Sequence, residues 1–235
     1  MTFALLLSVC LAGAPAVPVS PAASLNTEGF KLYKAKQYEQ AIEKFRAAIA
    51  ADPNHALSHY NLACTLGLMR KQNKVCEFDA YQSTVLDELE AAVKLDEGRR
   101  KRMQSDADLE SIRDTLRYQR LLGKDPAKVT DARALLVAVR WYGPSPGAYG
   151  NMAELDFLPS GAFTLSRKVM TDDGEVKVVT HNGTFKVNAS TGEATLTLSA
   201  PLDGKKTLSA KLGADGKLVL EVVGELTDQR SECEA

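Results

Sequence analysis

The chain has 235 residues, of which 45% are hydrophobic and 25% are charged. These proportions are typical of a folded globular protein and exclude a wholly disordered chain, and the length favours two ordinary domains over one. The net charge is −1, so no overall field would attract the protein to nucleic acid or to an anionic membrane. We therefore expect no nucleic-acid partner.

The N-terminal residues 1–16 have the pattern of a secretory signal peptide. An almost continuous apolar run over residues 3–11 leads into Ala-Gly-Ala and Ala-Pro-Ala, small-x-small sequences at which a signal peptidase would cut. The run is too short to span a bilayer, and no later segment reaches the roughly 18 apolar residues of a membrane helix. The pattern predicts an exported protein, periplasmic or secreted. The bulky Val9 before Cys10 argues against a lipoprotein anchor.

Helical periodicity extends from residue 25 to residue 123, after a linker at 17–24 that is rich in Val, Pro, Ser and Ala. Apolar residues recur with the 3.6-residue period of a helix, and charged residues occupy the opposite face. The apolar positions of the second predicted helix are Ala41, Phe45, Ala48 and Ile49. The Asp-Pro-Asn turn at 52–54 would end that helix and cap the next one.

The first helical hairpin resembles a tetratricopeptide repeat. The positions that carry the resemblance are Leu25, Gly29, Leu32, Ala41, Phe45 and Pro53. A second, weaker repeat begins near His59 and contains an insertion around residues 71–81, and the segment 106–122 has one apolar face. The resemblance therefore implies about two repeats followed by a capping helix, which is close to the minimum for a stable array.

In this family the first helix of each hairpin lines a concave face that binds a peptide or another protein. On this chain that face would carry Asn26, Phe30, Tyr33, Tyr60 and Asn61. Some members bind a C-terminal carboxylate with Lys and Asn on these helices, but only Asn61 fits that pattern here, so we do not expect carboxylate capture. The alternative is that Phe30 and Tyr33 only pack against the N-terminal linker or the second domain.

The hydrophobic period changes to two after a polar linker at residues 124–134, which Pro126 interrupts. Over residues 135–235, short alternating segments are joined by Asn-Gly, Thr-Gly and Asp-Gly turns, a pattern typical of antiparallel strands. Such a meander must close or pack on another element to bury its apolar face. The sequence thus predicts a two-domain α+β protein, with helical repeats followed by an antiparallel β meander or barrel.

The start of the second domain resembles a small lipocalin-like barrel. The resemblance is carried by Trp141 and by residues 153–157, 159–165, 183–187 and 216–220. It implies a barrel that either holds one small apolar ligand or is filled by side chains. We expect the filled barrel.

The sequence contains no motif of an enzyme active site. It has no G-x-S-x-G elbow, no phosphate-binding loop and no dinucleotide fingerprint. His55 and His59 have metal-ligand spacing on a helix but no third ligand nearby, and the basic run at 99–102 is flanked by acidic residues, as in a solvated helix start. We expect a non-enzymatic protein with no metal and no cofactor.

The cysteines leave three possibilities open. Cys10 would leave with the signal peptide, and Cys64, Cys76 and Cys233 would remain. We favour a Cys64–Cys76 disulfide, because the chain can fold back after the second repeat's first helix, and a bridge requires Cα atoms within about 7 Å. The alternatives are that no disulfide forms or that Cys76 pairs with Cys233.

Two functional hypotheses follow from these patterns. In the first, the protein is an exported scaffold that binds a protein or peptide partner through the helical repeats. In the second, it carries a small apolar ligand inside the β domain.

Overall fold

The computed structural model describes residues 20–144 and 151–232. The predicted signal peptide, most of the 17–24 linker, Cys10 and Cys233 lie outside the described residues. Within the described ranges, no helix combines the length and the apolar character needed to cross a membrane.

Four helices form two hairpins in the first half of the chain, as predicted. They are α1 (Pro21–Lys34), α2 (Tyr38–Ala51), α3 (Ala56–Lys71) and α4 (Gln82–Leu95). α1 packs against α2, α3 packs against α4, and α2 packs against α3. The close crossing of the first hairpin depends on Gly29, because a Cβ atom there would lie 2.7 Å from the Phe45 ring. Phe45 is fully buried at this crossing.

Helix α1 starts four residues earlier than the predicted boundary at residue 25. The Ser20 side chain accepts a hydrogen bond of 3.1 Å from the Ala23 amide, which caps the helix. Pro21 occupies the first helical position, where its fixed φ and missing N–H suit the first turn. The end of the predicted linker therefore belongs to the helix.

The predicted capping helix is broken into two short elements. After α5 (Gly98–Met103), a 3₁₀ helix spans Ala107–Ile112 and α6 spans Leu116–Leu121. Thr115 lies between them, and its side chain accepts from the Tyr118 amide at 3.2 Å, so it caps a new helix. A second 3₁₀ helix (Val129–Asp131) leads directly into α7 (Ala132–Ala138), so much of the 124–134 linker is structured.

The second half of the chain is an antiparallel meander. The described residues form eight strands, paired in chain order. They are β1 (Trp141–Tyr142), β2 (Ala153–Phe157), β3 (Ala162–Met170), β4 (Val176–Val187), β5 (Ala194–Leu202), β6 (Lys205–Leu212), β7 (Leu218–Leu220) and β8 (Gly224–Leu226). Tyr142 and Thr227 exchange both backbone hydrogen bonds, at 2.7 and 2.8 Å, which brings the first and last strands together and nearly closes a barrel.

Apolar side chains fill the barrel. Its buried residues include Trp141, Leu155, Phe157, Phe163, Leu165, Phe185, Leu196, Leu208, Leu218 and Leu226, each less than 5% exposed. Leu135 and Leu136 of α7 belong to the same cluster, so a helix at the start of the predicted β domain contributes to the core. The inward-facing side of the described strands is therefore lined by one continuous cluster of buried apolar residues.

The two halves of the molecule share an interface. Leu116 of α6 packs into the barrel core cluster, and its amide donates to an Asp228 carboxylate oxygen at 2.7 Å. Farther along, Glu232 forms an ion pair with Arg70 and accepts from the Gln82 amide at 3.0 Å. The residues that follow β8 therefore return to the helical half.

Candidate partner-binding groove

A groove of about 210 Å³ lies between α1, α3 and the first 3₁₀ helix. We call it the α1–α3 groove and define it by Phe30, Tyr33, Phe45, Tyr60, Asn61, Cys64, Thr65, Arg102, Asp106 and Asp108. Four of the five residues predicted for partner binding therefore line one groove. These are Phe30, Tyr33, Tyr60 and Asn61.

Asn26, the fifth predicted residue, lies behind the groove and not in it. Only 5% of this residue is exposed. Its side-chain oxygen accepts hydrogen bonds from Asn61 Nδ2 at 2.9 Å and from Ser58 Oγ at 3.4 Å. Asn26 thus orients Asn61 at the groove wall and would not contact a partner directly.

The two groove tyrosines donate hydrogen bonds to two carboxylates. Tyr33 donates to Asp108 at 2.6 Å, and Tyr60 donates to Asp106 at 2.8 Å. Burial, the largest cause, and these carboxylate contacts raise the pKa of both tyrosines well above the ordinary value. Both side chains therefore remain neutral hydroxyl donors at physiological pH, and their rings are held in fixed orientations.

The carboxylates are placed by the 3₁₀ helix, which lies directly against α3. A Cβ atom on Gly67 would lie only 2.4 Å from the Asp108 carbonyl oxygen, so the contact requires glycine. Ser111 Oγ donates to the Gly67 carbonyl at 3.0 Å. Leu109 and Ile112 are fully buried and anchor the segment. Sequence reasoning did not place Asp106 or Asp108 in the groove; the glycine in the middle of α3 was the available signal.

Neither carboxylate forms an ion pair with a basic side chain of the described residues. Burial, the largest cause, raises the pKa of Asp108, and the neighbouring Asp106 charge adds to the increase. The Tyr33 hydrogen bond acts in the opposite direction. The groove floor therefore carries two partly desolvated negative charges whose partners are hydroxyl, thiol and amide donors.

Basic side chains lie over the aromatic rings. The Lys34 ammonium lies 4.6 Å from the centre of the Phe30 ring. The guanidinium groups of Arg99 and Arg102 lie 5.6 and 5.7 Å from the centre of the Tyr60 ring. Two residues of the basic run at 99–102 thus contact the groove tyrosine, in addition to starting a helix as predicted.

The predicted Cys64–Cys76 disulfide is wrong, because Cys64 is a free, buried thiol. The helical phase of α3 turns Cys64 into the groove, where its Sγ donates to Asp106 at 3.6 Å. Cys76 instead lines a cavity at the junction of the two halves, together with Glu232. Burial, followed by the charges of Asp106 and Asp108, raises the pKa of the Cys64 thiol. The Cys76–Cys233 alternative involves a residue outside the described part of the chain.

The histidine pair does not converge on one point. His55 Nδ1 contacts Ser58 Oγ at 2.7 Å. His59 Nδ1 contacts Glu88 at 2.6 Å, and its Nε2 contacts the Pro53 carbonyl at 3.0 Å. The His59 contacts join α3 to α4 and to the preceding turn, and the His55 contact lies within the start of α3, so both side chains have a structural role.

Comparison with known protein families matches residues 29–68 to the TPR repeat. The matched segment covers the end of α1, all of α2 and most of α3, and so includes Phe30, Tyr33, Tyr60 and Asn61. No curated protein matches the chain.

Proposed function

We propose that this protein is an exported, non-enzymatic interaction protein that binds a protein or peptide partner through the α1–α3 groove. The observation that carries the proposal is the convergence of Phe30, Tyr33, Tyr60 and Asn61 on one groove within the segment that matches a TPR repeat. Tandem helical repeats use such surfaces to bind other proteins.

The size of the groove suits one anchoring side chain of a larger partner. Small-molecule sites usually occupy about 300–1,000 Å³, whereas this groove occupies about 210 Å³. Phe30 is 39% exposed at its edge, and exposed aromatic side chains are common anchors in protein interfaces. The groove therefore resembles the centre of an interface more closely than an enclosed ligand cavity.

The β domain would stabilise the helical repeats. Two repeats are a small array, and the barrel packs against it through Leu116 and through the contacts of Asp228 and Glu232. The apolar side chains packed in the barrel core favour this stabilising role over the carriage of an apolar ligand.

Affinity capture with the full mature chain tests the proposal. Bait proteins would be wild type, Phe30→Ala and, as a matched control, Val219→Ala, which truncates an exposed residue of the barrel. We expect a partner that is captured by the wild type and the control and lost from the Phe30 variant. Equal capture by all three baits would contradict binding through the groove.

Export is tested separately by the intact mass of the native protein. We expect cleavage near residue 14 or residue 16, since the apolar run and the small residues that follow it suit a signal peptidase. A full-length chain recovered from the soluble cytoplasm would contradict export.

A further inference from the structure

We propose that the α1–α3 groove receives a basic side chain, Lys or Arg, from the partner protein. This inference rests on the proposed function and specifies the chemistry of the partner. It follows from the charge at the floor of the groove and from the aromatic rings that form its walls.

The floor carries the charge that selects a cation. The charged residues that line the groove are Arg102, Asp106 and Asp108, which sum to −1. Arg102 is exposed and lies over Tyr60, and no ion pair joins it to either carboxylate. A basic side chain entering the groove would thus meet two partly buried carboxylates, and buried charges are stable when they are paired.

Asp108 has the acceptor capacity that an incoming cation needs. An ionised carboxylate offers about four lone-pair positions. Asp106 already accepts from Tyr60, from the Cys64 thiol and from the Asp108 amide. Asp108 accepts from Tyr33 alone among the described residues. We therefore assign the direct contact with the basic side chain to Asp108.

The walls of the groove suit the same ligand. The Phe30 and Tyr33 rings are stacked with centres 6.1 Å apart and an interplanar angle of 4°, and Tyr60 lies on the neighbouring helix. The electron-rich faces of such rings attract cations. Within the protein, Lys34 already lies over the Phe30 ring, and Arg99 and Arg102 lie over the Tyr60 ring.

The same groove opposes an acidic partner. A C-terminal carboxylate or an Asp or Glu side chain would approach Asp106 and Asp108 at close range, and like charges in a partly desolvated site repel strongly. This charge pattern gives a physical reason why carboxylate capture is not expected here, beyond the missing Lys and Asn on α1.

Selection from a random peptide library on the full mature chain tests the inference. We expect the selected peptides to share one Lys or Arg position, and we expect affinity to fall by about tenfold or more when that residue is replaced by Gln. Fluorescence anisotropy of the labelled peptide measures the change. Binding should also weaken as salt rises, because the anchoring contact is ionic.

Two matched variants locate the contact. Asp108→Asn removes the charge but keeps an acceptor for the Tyr33 hydroxyl. We expect this variant to bind the selected peptide with about tenfold lower affinity. Asp172→Asn makes the same charge change on an exposed residue of the β3–β4 hairpin and should leave affinity unchanged. Circular dichroism confirms that each variant is folded, and the salt dependence of the wild type gives an independent readout.

The outcomes separate the two proposals. Peptides that lose binding on Phe30→Ala but share an acidic or apolar anchor would overturn the basic-anchor inference and leave the proposed function standing. Equal binding by the Asp108 and Asp172 variants would also overturn the inference. If no selected peptide depends on Phe30, both proposals fail.

Discussion

The helical half and the barrel treat polar side chains in opposite ways. Among the described residues, the buried polar side chains are Asn26, Ser58, His59, Thr65 and Thr115, and all five belong to the helical half. The barrel core is built from apolar side chains. The difference indicates which half is organised for stability and which half fixes the positions of particular functional groups.

Buried polar groups make a core more specific at a cost in stability, because each must find a partner. In the helical half, Asn26 orients Asn61, and Asp106 and Asp108 hold the groove tyrosines. Proteins commonly accept such costs at functional sites. The comparison therefore supports the α1–α3 groove as the site of function and the barrel as its support.

The largest effect should come from the barrel core. Trp141 is fully buried and donates from its indole nitrogen to the Leu136 carbonyl at 3.3 Å. Trp141→Ala should lower the free energy of unfolding by about 3–5 kcal/mol, since it leaves a cavity between the sheet and α7. Denaturant unfolding followed by far-UV circular dichroism measures the loss.

Val219→Ala is the control for Trp141→Ala, because 49% of Val219 is exposed. It should change stability by no more than about 0.5 kcal/mol. If Trp141→Ala costs as little as this control, the barrel is not the tightly packed support that the comparison requires.

A smaller loss is expected from the polar core of the helical half. Asn26→Ala leaves Asn61 Nδ2 and Ser58 Oγ without their common acceptor and should cost about 1–3 kcal/mol. Thr27→Ala, at the exposed neighbouring position, should cost far less. If Asn26→Ala leaves the free energy of unfolding unchanged, water replaces the lost side-chain amide and Asn61 is not held in a fixed position.

Much of this architecture is predictable from the hydrophobic period of the sequence. The 3.6-residue period indicates the two hairpins, and the period of two with its Gly-containing turns indicates the meander. Phe30, Tyr33, Tyr60 and Asn61 could be placed together because the repeat resemblance fixes which helix faces meet.

The features that the sequence did not predict depend on contacts between residues that are distant in sequence. Asp106 and Asp108 reach the groove because a 3₁₀ helix lies on Gly67, and a glycine within a helix signals a close approach without identifying the segment that makes it. Cys64 could not be assigned correctly from its spacing to Cys76, because the phase of α3 directs it to Asp106. Leu135 and Leu136 fall within the predicted β domain, but the period of two did not indicate that a helix carries them into the barrel core.

The smallest expected effect concerns Asp108, and it tests whether the groove has an uncompensated charge. Burial raises the pKa of Asp108 above its value of 3.8 in a solvated chain. The folded state therefore holds this proton more tightly than the unfolded state. The free energy of unfolding falls as the pH rises from 3.8 to the raised pKa of Asp108 in the folded state. At neutral pH the ionised carboxylate is therefore a net cost to folding.

Asp108→Asn should remove that cost while it keeps the Tyr33 hydrogen bond. We expect the variant to be more stable than the wild type at neutral pH, by no more than about 1 kcal/mol because the site is partly solvated, and to show a shallower loss of stability between acidic and neutral pH. Denaturation midpoints across that pH range measure both. Asp114, whose pKa burial also raises, remains in the variant and contributes a slope of the same sign as that of Asp108. If the variant is less stable than the wild type at neutral pH, the protein already compensates the Asp108 charge, for example through Lys71. The groove would then have no unpaired charge to attract a basic partner.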